Sequence, residues 1–400
     1  MRGLTVLLHA ASVRRGEKWA LREVSWQLKP GERWALLGDN GSGKTQLLKL
    51  LSGAVWPTPG REPEIPARSY RLGQRAVDLI EAKRRIAYVG AEQQDKYARY
   101  GWNLRVHEVV ATGLHRTDLL LMPVTAREAR QVAAKLQDCG ILQHAQRRFL
   151  SLSYGQKRLV LLARALAQDP DWLLLDEFYN GLDTHFRRRL DAVLAAARRG
   201  GQSWVASAHR ASDVPRGTGR MLELSGGRVS AVKLMRRSEM LDLARRAGEN
   251  RPVSRGTPRI DGNAPLLMRL SKVNLYVEYR LVLRDLDWQL RGGEHWAVFG
   301  ANGAGKSSFL KLLYGDLSPA LGGHIERSGF PPGTSIAQWK RQTGFVSPEL
   351  QSDYCVDVSV ADLVASGRYA SIGLVDAATP EDRRAAAFWL RFFGLLSVAK

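Results

Sequence analysis

The chain has 400 residues, more than one hydrophobic core usually organises, so two domains are expected. A hydrophobic content of 44% with 25% charged residues excludes a disordered or fibrous chain. The net charge of +21 and the pI near 10.3 imply an anionic partner: nucleotide phosphate, nucleic acid, or the acidic inner face of a membrane. The two cysteines, Cys139 and Cys355, are too few and too far apart for a disulfide framework or a thiolate metal site, and they fit a reducing cytoplasm. The short apolar run at the amino terminus is soon followed by Arg14 and Arg15, which argues against a signal peptide. No apolar run approaches the ~18 residues that cross a bilayer, so any membrane role is peripheral, at the inner face.

In chain order, "VSWQLKPGE" predicts a strand and turn, and "RWALLG" a buried strand. A glycine loop follows: Gly38, Asn40, Gly41, Ser42, Gly43, Lys44 and Thr45. It opens the helix "TQLLKLLSG", which Gly53 stops. Such glycines let backbone N–H groups converge on phosphate oxygens, and the helix N-terminus adds a positive dipole. Lys44 reaches the outer phosphates, and Thr45 offers a hydroxyl to Mg²⁺. Later, "LSYGQKRLVLLARALAQDP" predicts an amphipathic helix with Ser153 as its N-cap. The strand "WLLLDE" then ends in Asp176, a metal carboxylate, and Glu177, which can polarise a water for in-line attack on a γ-phosphate. Taken singly, a serine cap and an acidic strand end also have plain structural readings; it is their order after the loop that makes them functional.

The chain repeats itself. "GDNGSGKTQLLKLLSG" from Gly38 is matched by "GANGAGKSSFLKLLYG" from Gly300, an offset of 262 residues, with collinear similarity on both sides. Between the copies, residues 228–259 carry nine Arg or Lys against three Asp or Glu, with Pro252 and Pro258, and read as a helical end followed by a basic linker.

"GDNGSGKT", "LSYGQ", "WLLLDE", "GLD" and "WVASAH", in this order, resemble the ATP-binding-cassette ATPases. The resemblance implies an α/β fold of two tandem P-loop ATPase domains, each a RecA-like core with an antiparallel β subdomain and a helical subdomain. Their expected bounds are 1–230 and 266–400, with a basic linker over 231–265, and the second copy incomplete. It also implies that ATP and Mg²⁺ are sandwiched between the loop of one domain and the signature residues of another, here Ser153, Gly155 and Gln156. Glu177, His209 as the switch histidine and Gln94 as the Gln-loop residue would be catalytic. Thr45, Asp176, Gln94 and, in copy two, Ser307 would face the metal, and Asp183 would contact the paired domain. Three departures stand out. Tyr154 replaces a signature glycine and could crowd the phosphate, Phe178 replaces a proline, and Arg15 lies where an adenine-stacking aromatic is expected, with Trp19 as a substitute.

Copy two offers Gly300, Asn302, Gly303, Ala304, Gly305, Lys306, Ser307 and Ser308, with Gln351 opposite Gln94 and Tyr276 as a stacking candidate. Residue 400 falls before its signature, so we expect a cropped chain that binds nucleotide but hydrolyses little unless two chains pair in trans. The stretches "SAHRASDVP" in copy one and "TGFVSPELQSDYCVDVSVADLVASGRYASIGL" in copy two resemble tandem cassettes grouped with molybdate transport, a resemblance that implies a membrane permease as partner. The alternatives are a tandem translation factor on ribosomes, which the basic charge would serve, and a nucleotide-binding regulator without turnover, which the intact Lys44, Asp176, Glu177 and His209 count against.

Overall fold

The computed structural model describes residues 3–59, 65–210, 213–234, 264–277, 279–300, 303–331, 333–347, 350, 358–374 and 376–399. Asn302, Gln351, Cys355 and most of the expected linker lie outside the described residues. The chain divides into two compact units, Met1–Val253 and Ser254–Lys400.

The first unit opens with a long antiparallel pair, β1 (Leu4–Arg15) and β2 (Lys18–Leu28). Next come β3 (Arg33–Leu37), α1 (Lys44–Ser52), β4 (Arg68–Leu72), β5 (Arg75–Val77), α2 (Leu79–Lys83) and β6 (Ile86–Val89). Four helices follow, α3 (Ala91–Arg99), α4 (Val106–His115), α5 (Ala126–Asp138) and α6 (Tyr154–Ala167). The unit closes with β7 (Trp172–Leu175), α7 (Thr184–Arg199), β8 (Ser203–Ala208), β9 (Arg220–Ser225) and β10 (Arg228–Leu234).

Two sheets result. The antiparallel one has the order β2-β1-β4-β5; the other has the order β10-β9-β3-β8-β7-β6 and is parallel except for β10. Every position of β7 and β8 is buried, as a parallel strand covered on both faces requires. Helix α1 lies between the sheets with Leu47, Leu48, Leu50 and Leu51 in the core they share. The helices α4 to α6 cover the other face of β7 and β8 through a second core that includes Leu159, Leu162, Phe178 and Trp204.

This sheet order positions the site. Strands β3, β8 and β7 are adjacent and parallel, so the segments leaving their C-terminal ends emerge at one edge. Those segments begin at Gly38, His209 and Asp176.

Helices α4 and α6 cross closely at Gly113, where a Cβ would overlap the carbonyl oxygen of Arg164. Arg164 is fixed there, donating from Nε to Thr112 Oγ1 at 2.8 Å and from Nη2 to the Thr117 carbonyl at 2.8 Å. Gly113→Ala is therefore expected to destabilise the unit by about 1–3 kcal/mol through overpacking. A urea titration checks this: the midpoint should fall with the slope unchanged.

In the second unit, β11 (Leu266–Val277), β12 (Arg280–Arg291) and β13 (His324–Arg327) form a sheet of order β12-β11-β13. Helices α8 (Lys306–Tyr314), α9 (Ile336–Gln342), α10 (Val360–Ser366) and α11 (Pro380–Phe392) complete its main described elements. Its core joins Met268, Leu270, Val273 and Leu275 to Phe309 and Leu312 of α8.

One expectation fails here. The segment "HWAVFG" repeats "RWALLG", yet residues 295–299 form no strand. Trp296 is 57% exposed and Phe299 89%, whereas Trp34 on β3 is 3% exposed. The reason is topological: β3 takes both its hydrogen-bonded neighbours, β8 and β9, from late in its own copy. Among the described residues of copy two no strand pairs with residues 295–299.

Candidate nucleotide site

The loop after β3 needs its glycines. Gly38 (φ 153°), Gly41 (φ 78°) and Gly43 (φ 102°) all lie at positive φ, where side chains are rarely tolerated. A Cβ on Gly38 would overlap the carbonyl oxygen of Leu224, and one on Gly43 would press on that of Ala20. Lys44 is the first residue of α1 and is 4% exposed. Its Nζ donates to the Gly38 carbonyl at 2.7 Å and the Asp39 carbonyl at 2.9 Å. Burial lowers this ammonium below the ordinary lysine range, opposed by the charges of Glu177, Asp176 and Asp39. Ser42 Oγ is buried without a hydrogen-bond partner.

The acidic pair after β7 is held from two sides. Asp176, 7% exposed, accepts the Ser207 hydroxyl on Oδ1 at 2.6 Å and the Tyr88 hydroxyl on Oδ2 at 2.8 Å. Glu177 has φ 46°, a costly conformation for a residue with a Cβ. Its N–H donates to Ser207 Oγ at 2.9 Å, and its Oε2 accepts from Asn180 Nδ2 at 3.0 Å. These contacts fix the strained turn and aim the carboxylate.

His209 completes the group. Its Nε2 lies 2.6 Å from Glu177 Oε1 and its Nδ1 lies 3.4 Å from Lys44 Nζ. A carboxylate accepts and an ammonium donates, so these partners select the tautomer with hydrogen on Nε2 and the lone pair on Nδ1. One imidazole thus joins the phosphate-loop cation to the acidic strand end.

Lys44, Asp176, Glu177 and His209 are therefore brought together, with Thr45 next to Lys44 at the start of α1. Gln94 lies in α3 with its Oε1 buried and without a hydrogen-bond partner among the described residues. Ser153 caps α6: its Oγ accepts the Gln156 N–H at 3.3 Å, and Gln156 Oε1 accepts the Ser153 N–H at 3.0 Å. Asp183 caps α7 by accepting the Phe186 N–H at 2.9 Å. Arg15 donates from Nε and Nη2 to Gln46 Oε1 at 3.3 and 3.2 Å, while Trp19 is 41% exposed with the Arg14 guanidinium 5.9 Å from its ring centre.

Three residues escaped the sequence reading: Ser207, Tyr88 and Asn180. Register supplies the first two, since Leu175 pairs with Val89 and with Ala206, bringing the neighbouring Ser207 beside Asp176. The signal for Ser207 was its position two residues before His209.

In copy two, Gly300 and Gly305 repeat the positive φ values at 158° and 87°, and Lys306 Nζ donates to the Gly300 carbonyl at 2.8 Å. Gly303, Ala304 and Ser307 are exposed and Ser308 half-buried. Tyr276 is exposed on β11.

Comparison with known proteins identifies the class. The ABC transporter family profile matches residues 21–180 and 283–398, more than half of the chain. The chain belongs to that family, whose members are ATPases built on a P-loop α/β fold, here in tandem. A relative, the ABC transporter ATP-binding protein ModF of Escherichia coli strain K12, is 29% identical over 387 residues, covering 92% of this chain and 74% of that protein. The ribose import ATP-binding protein RbsA of Chromobacterium violaceum is 29% identical over 393 residues, covering 96% of this chain and 74% of its own length. A nucleotide-free ATP-binding cassette from an ABC transporter aligns at 17% identity and a TM-score of 0.49, over 61% of this chain and 96% of that one. Among the described residues no helix is long and apolar enough to cross a membrane.

Proposed function

We propose that this chain binds ATP with Mg²⁺ at the Lys44 loop and hydrolyses it, with Glu177 as the base that orients the attacking water. The observation that carries the reading is the Lys44–His209–Glu177 chain, with contacts of 3.4 and 2.6 Å. It places a cation suited to a terminal phosphate and a carboxylate base on two sides of one ring.

The remaining roles complete this reading. Thr45, Asp176 and Gln94 form an oxygen-only donor set suited to a hard cation that keeps waters and phosphate oxygens as its other ligands. The partnerless Gln94 Oε1 fits such a site. When bound, Mg²⁺ neutralises charge on the phosphates. Ser207 and Tyr88 keep Asp176 from swinging away, and Ser207 with Asn180 holds Glu177 ready to take a proton from water. Lys44 turns from His209 Nδ1 to the γ-phosphate, and the ring, deprived of that donor, senses the terminal phosphate through the loss. The Lys306 loop, from Gly300 to Ser308, is read as a second ATP site with Gln351, and Trp19 and Tyr276 as the adenine contacts. Each nucleotide is clamped between one cassette's loop and the signature residues of another, Ser153, Gly155 and Gln156 in copy one, within one chain or between two.

We further propose that hydrolysis drives a membrane transport assembly through a separate permease. Relatives include ATP-binding proteins of ribose import and of manganese transport, so cargo does not follow from similarity. The cargo, molybdate in the reading the subfamily resemblance implies, is recognised by the partner. A ribosomal role is the competing reading, favoured by the net charge of +21. Sedimentation from a cell lysate separates them. Recovery with membranes, released by detergent, is expected; salt-sensitive recovery with ribosomes would contradict the transport role.

A further inference from the structure

Two of the departures from the family pattern, Tyr154 and Phe178, are 24 residues apart in sequence but share one partner. Arg158 in α6 is 1% exposed, and its Nη2 donates to the Tyr154 hydroxyl at 2.6 Å. Its guanidinium carbon lies 5.1 Å from the Tyr154 ring centre and 5.5 Å from that of Phe178, which is itself 1% exposed. Nε and Nη1 of Arg158 are buried without hydrogen-bond partners among the described residues. The buried Phe178 ring and the Tyr154 ring, 37% exposed, thus face this charge together, with the Asp95 carboxylate acting on it electrostatically. The Tyr154 ring also abuts Gly181, where a Cβ would lie 3.2 Å from it.

The positions give the assembly its meaning. Tyr154 directly follows Ser153, and Phe178 directly follows Glu177. We infer that Arg158 is a positioning residue that clamps the start of the signature helix to the Asp176–Glu177 turn through the Tyr154 and Phe178 rings, so that movement at Glu177 is transmitted to Ser153. On the proposed function, Glu177 serves its own cassette's ATP while Ser153 serves that of the paired cassette, and the clamp links the two sites. A planar guanidinium between two rings is not replaced by a lysine ammonium.

Amide hydrogen exchange on the full chain without nucleotide tests the clamp independently of turnover. Tyr154→Ala should speed exchange at Glu177 and Asn180, whose N–H groups bond Ser207 Oγ and the Glu177 carbonyl. The increase should be about tenfold, the loss of one cation–π contact on a 37% exposed ring together with its hydrogen bond from Arg158. Phe178→Leu should do the same at Gln156 and Lys157, at the start of α6, and Tyr154→Phe, which keeps the ring, should restore most of the protection. Exchange that rises only beside each substitution overturns the clamp. ATP turnover gives the second reading: Arg158→Lys should lower kcat about tenfold with KM for ATP within about twofold of the parent. Parallel loss in both parameters would mark a purely structural residue and overturn the inference. Absence of turnover in the parent chain would instead count against the proposed hydrolysis, and the exchange result would still decide the clamp.

Discussion

Glu177→Gln leaves ATP bound and slows its hydrolysis by roughly 100-fold or more, the range expected for loss of a positioned general base. Glutamine matches glutamate in size, so the turn at φ 46° and its Ser207 contact persist. The substitution does remove one acceptor. His209 Nε2 and Asn180 Nδ2 both donate to the Glu177 carboxylate, and an amide presents a single acceptor oxygen to those two donors. One of the contacts is lost, but neither directly holds the phosphates. Single-turnover hydrolysis combined with equilibrium binding of ATP checks this: binding should stay within a few-fold of the parent while the chemical step fails. Unchanged turnover would remove Glu177 from the role of base.

Lys44→Ala, in a Lys306→Ala background so that only the first loop is read, weakens ATP binding by on the order of 100-fold. Lys44 Nζ, 4% exposed, already lies between two backbone carbonyls at 2.7 and 2.9 Å, so little ordering is needed for it to meet phosphate oxygens. Two charge-assisted hydrogen bonds of about 1.5 kcal/mol or more each correspond to that loss. Titration calorimetry measures the affinity. A thermal melt that stays within a few degrees separates lost binding from lost folding. An unaltered Kd would place the nucleotide elsewhere.

The parts of this protein that could be read in the sequence are those whose chemistry is local. A loop with glycines at 38, 41 and 43 announces its backbone geometry in its composition, and Ser153 followed three residues later by Gln156 spells out the cap that the structure shows. What could not be read depends on register and neighbours. Ser207 reaches Asp176 because β8 pairs in register with β7. Tyr88 reaches the same carboxylate from β6, on the other side of β7. The segment 295–299 shows the converse, since the same apolar pattern that makes β3 a strand between β8 and β9 makes none here, where no strand among the described residues pairs with it. Tyr154 and Phe178 read separately as a residue that crowds the phosphate and a replaced proline. The buried guanidinium of Arg158 unites them, and nothing in local sequence pattern reports a contact across that distance.

The most direct measurement is of the His209 ring itself, by NMR of protein labelled with ¹⁵N-histidine and assigned against His209→Ala. In the nucleotide-free protein the ring should report hydrogen on Nε2 and a lone pair on Nδ1, as its contacts with Glu177 and Lys44 require. A non-hydrolysable ATP analogue with Mg²⁺ should shift both ring nitrogens as Lys44 turns to the γ-phosphate, and ADP with Mg²⁺ should leave them near their starting positions. Equal responses to the two nucleotides, or none to either, would contradict a site in which this histidine reads the terminal phosphate.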